Sequence, residues 1–502
     1  MDKENPVHTI TDAGYNKSVN NESFYITTTL PYVNAEPHIG FALEIVTADV
    51  IARYHRALGH QVVFNTGTDE HGQKIYDRSQ AENKDPQTFV DFHAQQFSLL
   101  KNQLNLSFDH FIRTTDPHHK LAAQQFWQLC MENGYIYKNQ YKIAYCVGCE
   151  LEKQASELVD EHCPLHPNQQ IEFREEENYF FKFSAFQQSL LDLYTAKPDF
   201  VKPEGKMREI ESFVRNGLND FSISRLKTKM PWGIEVPGDP NHVMYVWFDA
   251  LVNYISTLGW PEDRSVFNEF WPVTQIAGKD NLRQQAAMWQ AMLLAAKLPP
   301  SQQILINGFI SIDGQKMSKS LGNVISPNDM VQRYGTDAAR FLLLLLNPIS
   351  QDMDVTWERF DHLYTSTLSN GIGNLCSRVA KLASQISPPT NSPAQNQESA
   401  LGFNVVYSNA LQAYDFQKVT DWLLAEIQAA DAFLSEQKPW LADESTKTTL
   451  VTQSVKMIQK IAYHLIIFMP SIGEQLLNHF SQPTILPLTP LFPRLATPKN
   501  HV

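Results

Sequence analysis

Apolar and polar residues along the first part of the chain follow the rhythm of an α/β sheet. Residues 24–30 form a short β-rich run, residues 39–58 carry the apolar spacing of a helix, and residues 61–66 are β-rich again. A strand, a loop, a helix and a second strand in this order are typical of the start of a parallel sheet. Ligands of such sheets bind beyond the carboxyl ends of the strands, so the two loops that follow the β-rich runs are predicted to carry a site.

The pattern changes twice further along the chain. A segment with a cysteine cluster, acidic stretches and proline-rich joints interrupts the sheet, and it is predicted to be an inserted domain. β-rich runs then return at residues 245–247, 273–277 and 304–306. From residue 357 onward apolar residues recur only at helical spacing, which predicts a helical bundle. The predicted fold class is therefore α/β, a Rossmann-like parallel sheet split by an insertion and followed by an all-α bundle.

Composition and charge narrow the class of protein. With 502 residues the chain is too long for one core, so several domains are expected. The net charge of −13 argues weakly against a nucleic-acid partner, although a large acidic protein can still carry a basic strip on its surface. Five cysteines are too few for a disulfide scaffold. No apolar run is long enough to span a bilayer, and the polar first residues lack the apolar core of a signal peptide. A cytoplasmic location without a membrane is therefore expected.

Residues 37–40 (PHIG) mark the start of the first predicted helix. A helix N-terminus offers unpaired N–H groups and the positive end of the dipole, so it attracts phosphate, and Gly40 lets an anion approach the backbone. His38 can add a further donor. An ordinary helix start has the same features, so this motif alone does not identify a phosphate site.

Residues 314–323 (GQKMSKSLGN) form a second and more specific motif. Two lysines and two serines in a loop bounded by glycines provide a cationic clamp. Such a clamp suits the negative charge that develops on a triphosphate when pyrophosphate leaves. A solvated surface loop with incidental lysines is the alternative. The length of the match between this motif and a known signature, described next, disfavours that alternative.

The two motifs together resemble the signatures of class I aminoacyl-tRNA synthetases. Residues 316–320 (KMSKS) match the second signature, and residues 38–40 (HIG) match three of the four residues of the first. The resemblance to the methionine-type enzymes also covers four further segments: 32–37 (YVNAEP), 66–72 (TGTDEHG), 246–250 (VWFDA) and 278–280 (GKD). It extends in uninterrupted order from residue 23 to the C-terminus.

The resemblance implies an ATP-dependent ligase that joins methionine to tRNA(Met) through a methionyl-adenylate. It implies that His38 and Lys319 contact the ATP phosphates with support from Lys316, while Gly278 and Asp280 hold the ribose and adenosine. Asp69 would bind the α-amino group of methionine. The side-chain pocket would be lined by Leu30, Tyr32, Trp247, Ala250 and Tyr254. Mg²⁺ would accompany the ATP, and positioning and charge stabilisation would supply most of the catalysis.

Three cysteines and a histidine form a metal-ligand pattern. Cys146 and Cys149 are separated by two residues, as are Cys163 and His166. Two such pairs can close a tetrahedron around zinc, whereas buried free cysteines are the alternative. The set resembles the single zinc knuckle of some methionine-type enzymes. A structural Zn²⁺ is expected because protein ligands fill all four positions.

A third group of residues lies in the predicted bundle. Asn374 and Arg378 are one helical turn apart, and Trp440 follows a Gln-Lys-Pro sequence. Asn and Arg can read base edges and Trp can stack on an unpaired base, but such residues are more often ordinary surface and core residues. The resemblance implies that these three positions read the methionine anticodon.

With these motifs placed, the chain is predicted to divide into six segments. They are a polar tail (1–22), the first half of the catalytic sheet (23–113) and the knuckle insertion (114–237). The second half of the sheet (238–312), the lysine-loop and stem-contact region (313–356) and the anticodon-binding bundle (357–502) follow. Because the sequence ends soon after the bundle, a monomer is expected.

Two departures from the family pattern affect the site. The first signature normally ends in a second histidine, but Phe41 stands there and cannot donate to a phosphate. Asn281 stands where the family usually has an aliphatic residue, Gln285 where it has a pocket histidine, and Gln290 where it has proline. One turn apart on a helix, Asn281 and Gln285 are expected to face the same cavity. Two amides are a poor match to the thioether of methionine.

Three functions remain open on the sequence. In the first, the chain is a methionine enzyme whose altered pocket would exclude an inhibitor that resembles methionine or its adenylate. Alternatively it activates a different, more polar amino acid, or it is a weakened relative that binds tRNA or a metabolite as a regulator. The retained lysine loop, Asp69 and anticodon set favour the first, because a regulator has no need of Lys319.

Overall fold

The computed structural model describes residues 22–34, 36–149, 151–153, 158–160, 162–312, 314–316, 324–346, 351–386 and 402–495. The strands, in chain order, are β1 (Ser23–Thr27), β2 (Gln61–Thr68), β3 (His110–Arg113), β4 (Ile136–Cys146), β5 (Leu151–Glu152), β6 (His162–Cys163), β7 (His166–Gln170), β8 (Glu172–Phe181), β9 (Val201–Lys202), β10 (Phe221–Ser222), β11 (Ser224–Leu226), β12 (Glu235–Val236), β13 (Asp239–Met244), β14 (Thr274–Gly278), β15 (Gln303–Asn307), β16 (Ile310–Ile312), β17 (Gln315–Lys316) and β18 (Met353–Val355).

The helices, in chain order, are α1 (Ile39–Ala57), α2 (Gln73–Ala81), α3 (Pro86–Ser98), α4 (Leu100–Gln103), α5 (Pro117–Glu132), α6 (Gln187–Ala196), α7 (Glu204–Arg215), α8 (Val246–Ala250), α9 (Asn253–Ser256), α10 (Arg264–Phe270), α11 (Trp289–Ala295), α12 (Pro327–Tyr334), α13 (Thr336–Leu346), α14 (Trp357–Leu363), α15 (Asn374–Ala383), α16 (Val405–Gln412), α17 (Phe416–Gln437), α18 (Glu444–Leu465) and α19 (Pro470–Phe480). Two segments, Gln284–Met288 and Tyr364–Gly373, are π-helical.

The central sheet is parallel throughout and has the strand order β3-β2-β1-β14-β15-β9. The mostly buried helix α1 connects β1 to β2, as a parallel pair requires a crossover. The strands β1 and β14, which are adjacent in the sheet, are separated in sequence by the whole inserted segment. The predicted α/β fold class is confirmed.

The segment predicted as an insertion has two parts. In the first, β4 and β8 form a long antiparallel ribbon whose register extends from Ile136↔Phe181 to Tyr145↔Glu172, and the cysteine cluster lies beyond its far end. In the second, β9 pairs in parallel with β15 at the edge of the central sheet. The segment therefore contributes a strand to the central sheet as well as carrying the cysteine cluster.

The β-rich run predicted at residues 245–247 is wrong, because the structure has the short helix α8 there. Strand β13 ends at Met244, and Tyr245 is the extended residue that precedes the helix. Phe248 and Asp249 of this helix are buried, and Asp249 accepts hydrogen bonds from His71 at 2.7 Å and His119 at 2.9 Å. These tertiary contacts override the β propensity of the aromatic and branched residues.

The helical bundle is joined to the sheet through a buried arginine. Arg340 of α13 is fully buried and forms an ion pair with Asp49 of α1, with 2.7 Å between Nη2 and Oδ2. Its other donors reach the carbonyl of Leu104 at 2.9 Å, on the sheet side, and that of Phe468 at 2.9 Å, on the bundle side. The bundle is thus held in a defined position relative to α1. Over the described part of the chain, no helix has both the length and the hydropathy to cross a bilayer.

Candidate active site

A cavity of about 470 Å³ opens beyond the carboxyl ends of the central strands. The ends of β1, β2, β14 and β15 and the N-terminus of α1 form its wall. Because these strands are parallel and adjacent, residues far apart in sequence meet at one edge of the sheet. The predicted site residues that border the cavity are Leu30, Tyr32, His38, Gly40, Asp69, Trp247, Gly278, Asp280 and Asn281.

His38 places the N-terminus of α1 against this cavity. It is the N-cap residue, with extended backbone, and its Nδ1 accepts a hydrogen bond from the Gly40 N–H at 3.0 Å. The Ile39 N–H is bonded to the carbonyl of Ile325 at 3.1 Å. No acidic residue stands in the first turn of α1. The helix start therefore keeps its positive end toward the cavity, which is the arrangement that favours an anion.

Phe41 supplies an apolar wall at the position of the second signature histidine. Its side chain is 9% exposed, and its ring meets that of Phe97 edge to face with 5.5 Å between centroids. Both rings border the cavity. The phenyl group thus packs where an imidazole would donate, and it offers no hydrogen bond to a phosphate.

The loops after β1 and β2 are joined to each other at the part of the cavity that was predicted to bind the amino acid. Tyr32 and Asp69 form an isolated parallel bridge, with the Asp69 N–H bonded to the carbonyl of Pro31 at 3.0 Å. The Tyr32 hydroxyl donates to the carbonyl of His71 at 2.6 Å. Asp69 is 4% exposed and borders the cavity. A carboxylate at this place can hold an ammonium group of a ligand.

Gln285 lies behind the cavity wall, whereas Asn281 borders the cavity. The expectation that both face one cavity assumed a regular α-helix, but the chain forms a tight turn at Lys279–Asn281 and a π-helical turn at Gln284–Met288. Ala250 and Tyr254 are also buried and do not border the cavity.

The Gln285 side chain is held by a buried hydrogen-bond network. Its Nε2 donates to the Tyr254 hydroxyl at 2.8 Å, and its Oε1 accepts from Gln275 Nε2 at 2.8 Å. Ser301 donates to Gln275 at 2.6 Å, and Gln290 donates to the backbone carbonyl of Gln285 at 2.8 Å. The amide of Gln285 and the departure at Gln290 are therefore satisfied inside the protein, so neither is presented to a ligand in the cavity.

The part of the cavity wall that was predicted to bind the nucleotide contains a buried carboxyl that sequence reasoning missed. Glu44 of α1 borders the cavity and accepts hydrogen bonds from the backbone N–H and the hydroxyl of Thr29 at 2.7 and 2.6 Å. Burial raises the pKa of Glu44 to about 8, with the nearby Asp280 adding to the rise and the Thr29 bonds opposing it. At neutral pH Glu44 is therefore mostly protonated and adds little negative charge beside a nucleotide. A glutamate among the apolar residues of the first two turns of α1 was the available signal.

Residues 307–310 form a further part of the wall that the sequence did not indicate. A Cβ at Gly308 would lie 2.1 Å from the carbonyl oxygen of Gln351, so only glycine fits. The Phe309 N–H donates to Asp352 at 2.9 Å, and Asp352 also forms an ion pair with Lys279. The Lys279 ammonium lies 4.2 Å from the centroid of the Phe309 ring. These contacts hold the wall in a defined position.

The lysine loop begins beside this wall. Strand β16, whose Ile310 borders the cavity, pairs with β17, where Lys316 lies opposite Ser311. Lys319 and the rest of the loop, residues 317–323, lie outside the described residues. The predicted role of Lys319 therefore stays a prediction.

The predicted zinc ligands come together beyond the β4–β8 ribbon. The ligand atoms of Cys146, Cys149, Cys163 and His166 all lie within 4.8 Å of one another. Cys149 Sγ is 3.3 Å from Cys163 Sγ and 3.2 Å from His166 Nδ1. Zinc bonds of about 2.0–2.3 Å would place tetrahedral ligand atoms roughly 3.3–3.8 Å apart. Three thiols and an imidazole at these separations fit a structural zinc ion.

The knuckle contacts the active-site side of the molecule. Lys74 of α2 donates to the carbonyl of Gly148 at 2.6 Å, and both Lys74 and Cys149 border the cavity at the sheet edge. A Cβ at Gly148 would lie 2.4 Å from the His166 ring, so glycine is needed at this turn. The knuckle is thereby attached next to the cavity.

The three predicted anticodon residues lie on the bundle. Asn374 begins α15 and is exposed, and Arg378 is half-buried and paired with Asp431 at 2.6 Å. Trp440 is 48% exposed on a short turn that follows Lys438, a residue in the left-handed region with φ of 44°. Both α15 and the Trp440 turn pack against α18.

Comparison with known proteins places this site in a family. The family model described as tRNA synthetases class I (M) matches residues 24–167 and 149–380. The chain is 40% identical to the methionine--tRNA ligase of Thermosynechococcus vestitus over 470 residues, which is 90% of this chain and 88% of the relative. It is 37% identical to that of Thermotoga maritima over 475 residues, which is 91% of this chain and 75% of the relative.

Solved structures agree with these sequence relationships. The structure described as Mycobacterium tuberculosis methionyl-tRNA synthetase in complex with methionyl-adenylate superposes with a TM-score of 0.87 at 32% identity. The match covers 94% of this chain and all (100%) of that one. The predicted family is confirmed: this chain belongs to the methionyl-tRNA synthetases of class I.

Proposed function

We propose that this protein joins L-methionine to tRNA(Met) in two steps that both use the cavity at the sheet edge. In the first, a carboxylate oxygen of methionine attacks the α-phosphorus of ATP and pyrophosphate leaves, which forms methionyl-adenylate. In the second, a hydroxyl of the terminal ribose of tRNA attacks the carbonyl carbon, and AMP leaves with the electron pair of the broken bond. Neither step needs a protein nucleophile, so the residues bind, orient and stabilise charge.

The observation that carries this proposal is the convergence of three kinds of group on one cavity. His38 offers a donor and the N-terminus of α1 its positive end to phosphate, Asp69 offers a carboxylate to an ammonium group, and Gly278 and Asp280 stand at the end of β14 for the ribose. An amino acid and a nucleotide bound to these groups would bring a carboxylate and an α-phosphate together. Positioning of two reactants in this way can supply several kcal/mol of the barrier, roughly 7–11 at best.

The remaining roles follow from the same arrangement. Leu30, Tyr32 and Trp247 would contact the methionine side chain, with Ala250 and Tyr254 supporting this wall from behind. Lys316 and Lys319 would stabilise the charge that develops on pyrophosphate, and Mg²⁺ bound with ATP would add to it. The knuckle would hold Zn²⁺ as a structural ion, and Asn374, Arg378 and Trp440 would bind the anticodon.

Methionine is favoured over a more polar amino acid because only one of the two divergent amides, Asn281 and Gln285, borders the cavity. The Gln285 amide has partners on both its oxygen and its nitrogen inside the protein, so it adds no unpaired polar group to the pocket. Asn281 alone of the two amides borders the cavity, and it keeps the more polar substrate as the second candidate.

Aminoacylation of tRNA tests the proposal as a whole. Purified protein, ATP, Mg²⁺ and labelled methionine should charge tRNA(Met) but not a tRNA with an unrelated anticodon. Asp69→Asn is the informative variant, because it keeps the shape of the side chain and removes the charge for the α-amino group. It should lose most of the activity. Charging of tRNA in the absence of ATP, equal charging of the unrelated tRNA, or failure to charge tRNA(Met) with methionine would contradict the proposed function.

A further inference from the structure

The buried carboxylate of Asp249 accepts hydrogen bonds from two histidines that come from different parts of the chain. His71 Nδ1 donates to its Oδ2 at 2.7 Å, and His119 Nε2 donates to its Oδ1 at 2.9 Å. Burial acts to raise the pKa of Asp249, but the attraction of His71 and the hydrogen bonds of both histidines hold it below its usual value. Because the ionised carboxylate has a partner on each oxygen and no contact with solvent, it holds both histidines in a defined geometry.

His71 and Asp249 each follow, at a distance of two residues, a residue that borders the cavity. Asp69 precedes His71 in the loop after β2, and Trp247 precedes Asp249 in α8. His71 and Asp249 themselves are buried and are not among the described residues that border the cavity. On a helix, residues two apart point to nearly opposite sides, so Asp249 faces the interior where Trp247 faces the cavity. The bond between His71 and Asp249 therefore joins two parts of the cavity wall from behind.

The two histidines differ in what else they contact. The carbonyl of His71 accepts a hydrogen bond from the Tyr32 hydroxyl at 2.6 Å, so a third residue of the cavity wall is attached to the same loop. His119 Nδ1 lies 3.0 Å from the hydroxyl of Ser256 in α9. His119 belongs to α5, and none of the described residues that border the cavity comes from that helix. His71 thus links Asp249 to the cavity wall, whereas His119 links it to the interior of the protein.

The two joined parts of the wall are those assigned to opposite ends of the amino acid. In the proposed function Asp69 holds the α-ammonium group and Trp247 contacts the side chain. Both contacts form together only when the distance between the two residues matches the length of the ligand. A misplacement of about 1 Å in such an arrangement can cost roughly a hundredfold in rate.

We propose that His71 and Asp249 form a positioning pair that sets the spacing between the ammonium site at Asp69 and the side-chain site at Trp247. The inference rests on the proposed function for the roles of Asp69 and Trp247. Neither member of the pair touches the ligand, and both act through the residues that do. A short buried bond to an ionised group suits this task, because it keeps a loop and a helix from moving independently.

The substitution His71→Leu tests this inference, because it removes the donor to Asp249 and keeps a side chain of similar size. The melting temperature should fall, since a buried carboxylate loses one of its partners. The KM for methionine in pyrophosphate exchange should rise about tenfold or more, while the KM for ATP stays within about twofold. His71→Asn should recover most of the loss, because its Nδ2 can donate from nearly the position of the imidazole Nδ1. An unchanged KM for methionine in His71→Leu would overturn the inference.

His119→Leu is the matched control, because it removes the other donor to the same carboxylate. His119 is at least as buried as His71, so the melting temperature should fall by a similar amount or more. The bond between His71 and Asp249 remains, and the KM for methionine should therefore rise much less than in His71→Leu. An equal rise in both variants would show that a general loss of stability explains the effect, and it would overturn the inference.

Ligands that reach one or both ends of the pocket separate the spacing from damage to a single end. Methioninol keeps the ammonium group and the thioether, whereas deaminomethionine keeps the thioether and lacks the amino group. In His71→Leu the inhibition constant of methioninol should rise by about the same factor as the KM for methionine, and that of deaminomethionine should stay near its wild-type value. Equal weakening of both inhibitors would assign His71 to the side-chain site alone and overturn the inference.

The same ligands distinguish this inference from the proposed function. If the wild type supports no pyrophosphate exchange with methionine, the proposed function fails. Calorimetric titration of methionine, methioninol and deaminomethionine into the wild type, His71→Leu and His119→Leu then decides the role of His71. Weaker binding of the two ligands with an ammonium group in His71→Leu alone would support the positioning pair, and equal binding by all three proteins would overturn it.

Discussion

Gln285 Nε2 donates a 2.8 Å hydrogen bond to the hydroxyl of Tyr254, and both side chains lie behind the wall of the catalytic cavity. The bond belongs to a network that also contains Gln275, Gln290 and Ser301. The side chains of these three glutamines are buried, and their hydrogen bonds are made to one another, to Ser301 and to Tyr254. The divergent residues therefore fix the position of Tyr254 and leave the cavity itself with one added amide, that of Asn281.

The substitution Gln285→Leu should disturb both folding and methionine binding. It removes the hydrogen-bond partners of Gln275 Nε2 and of the Tyr254 hydroxyl, which costs about 1–3 kcal/mol in the free energy of unfolding. Because Tyr254 supports the amino-acid side, the KM for methionine should rise more than the KM for ATP. Denaturant unfolding and pyrophosphate exchange measure the two effects. Unchanged values in both would mean that the network does not hold the pocket.

The beginning of the fold was predictable from the sequence because its patterns are local. Strand β1, helix α1 and strand β2 lie within a few residues of their predicted bounds, since alternation and helical spacing are read from neighbouring residues. Helix α8 was missed because its burial depends on His71 and His119, which lie more than a hundred residues away in sequence. The sequence pattern around Asp249 contains no trace of those contacts.

The candidate site was predictable only where a motif carried it. His38, Asp69, Gly278 and Asp280 border the cavity as expected. Residues 307–310 also border the cavity, but they are brought there by the parallel pairing of β15 with β14, which no single-sequence pattern shows. The placement of Gln285 could not be predicted either, because a π-helical turn changes the spacing between residues 281 and 285.

The substitution Phe41→His should raise the rate of adenylate formation. An imidazole at this place beside the cavity can donate to a phosphate, and one charge-assisted bond corresponds to roughly a tenfold or larger gain in rate. The Phe41–Phe97 ring pair is lost, so the free energy of unfolding should fall by about 0.5–1.5 kcal/mol. Phe41→Leu, which has no donor, should show the loss of stability without the gain. An equal rate in all three proteins would mean that another group already supplies the phosphate contact.

Metal analysis of the purified protein should find about one zinc ion per chain, as a closed four-ligand site requires. Cys163→Ser should lose the metal and lower the melting temperature, because Cys163 is one of the four clustered ligands. Cys376→Ser is the control, since Cys376 is buried in the bundle away from the cluster, and this variant should keep the zinc. A metal-free wild type that is fully folded would contradict a structural zinc site.

The substitution Trp440→Ala should separate the two half-reactions. Base stacking on an aromatic side chain contributes about 1–3 kcal/mol, so the KM for tRNA should rise by a factor of about 5 to 150. Pyrophosphate exchange should remain at the wild-type rate, because Trp440 lies on the bundle and the cavity lies at the sheet edge. Leu486→Ala is a control at another exposed hydrophobic side chain and should leave both assays unchanged. Parallel losses in both assays for Trp440→Ala would count against an anticodon role.

The most direct measurement of the central claim is pyrophosphate exchange into ATP with each of the twenty amino acids in turn. The account predicts exchange with methionine at a rate well above that of every other amino acid, because Asn281, the divergent amide that borders the cavity, is outweighed by the wall of Leu30, Tyr32 and Trp247. Exchange with a polar amino acid and none with methionine would contradict it.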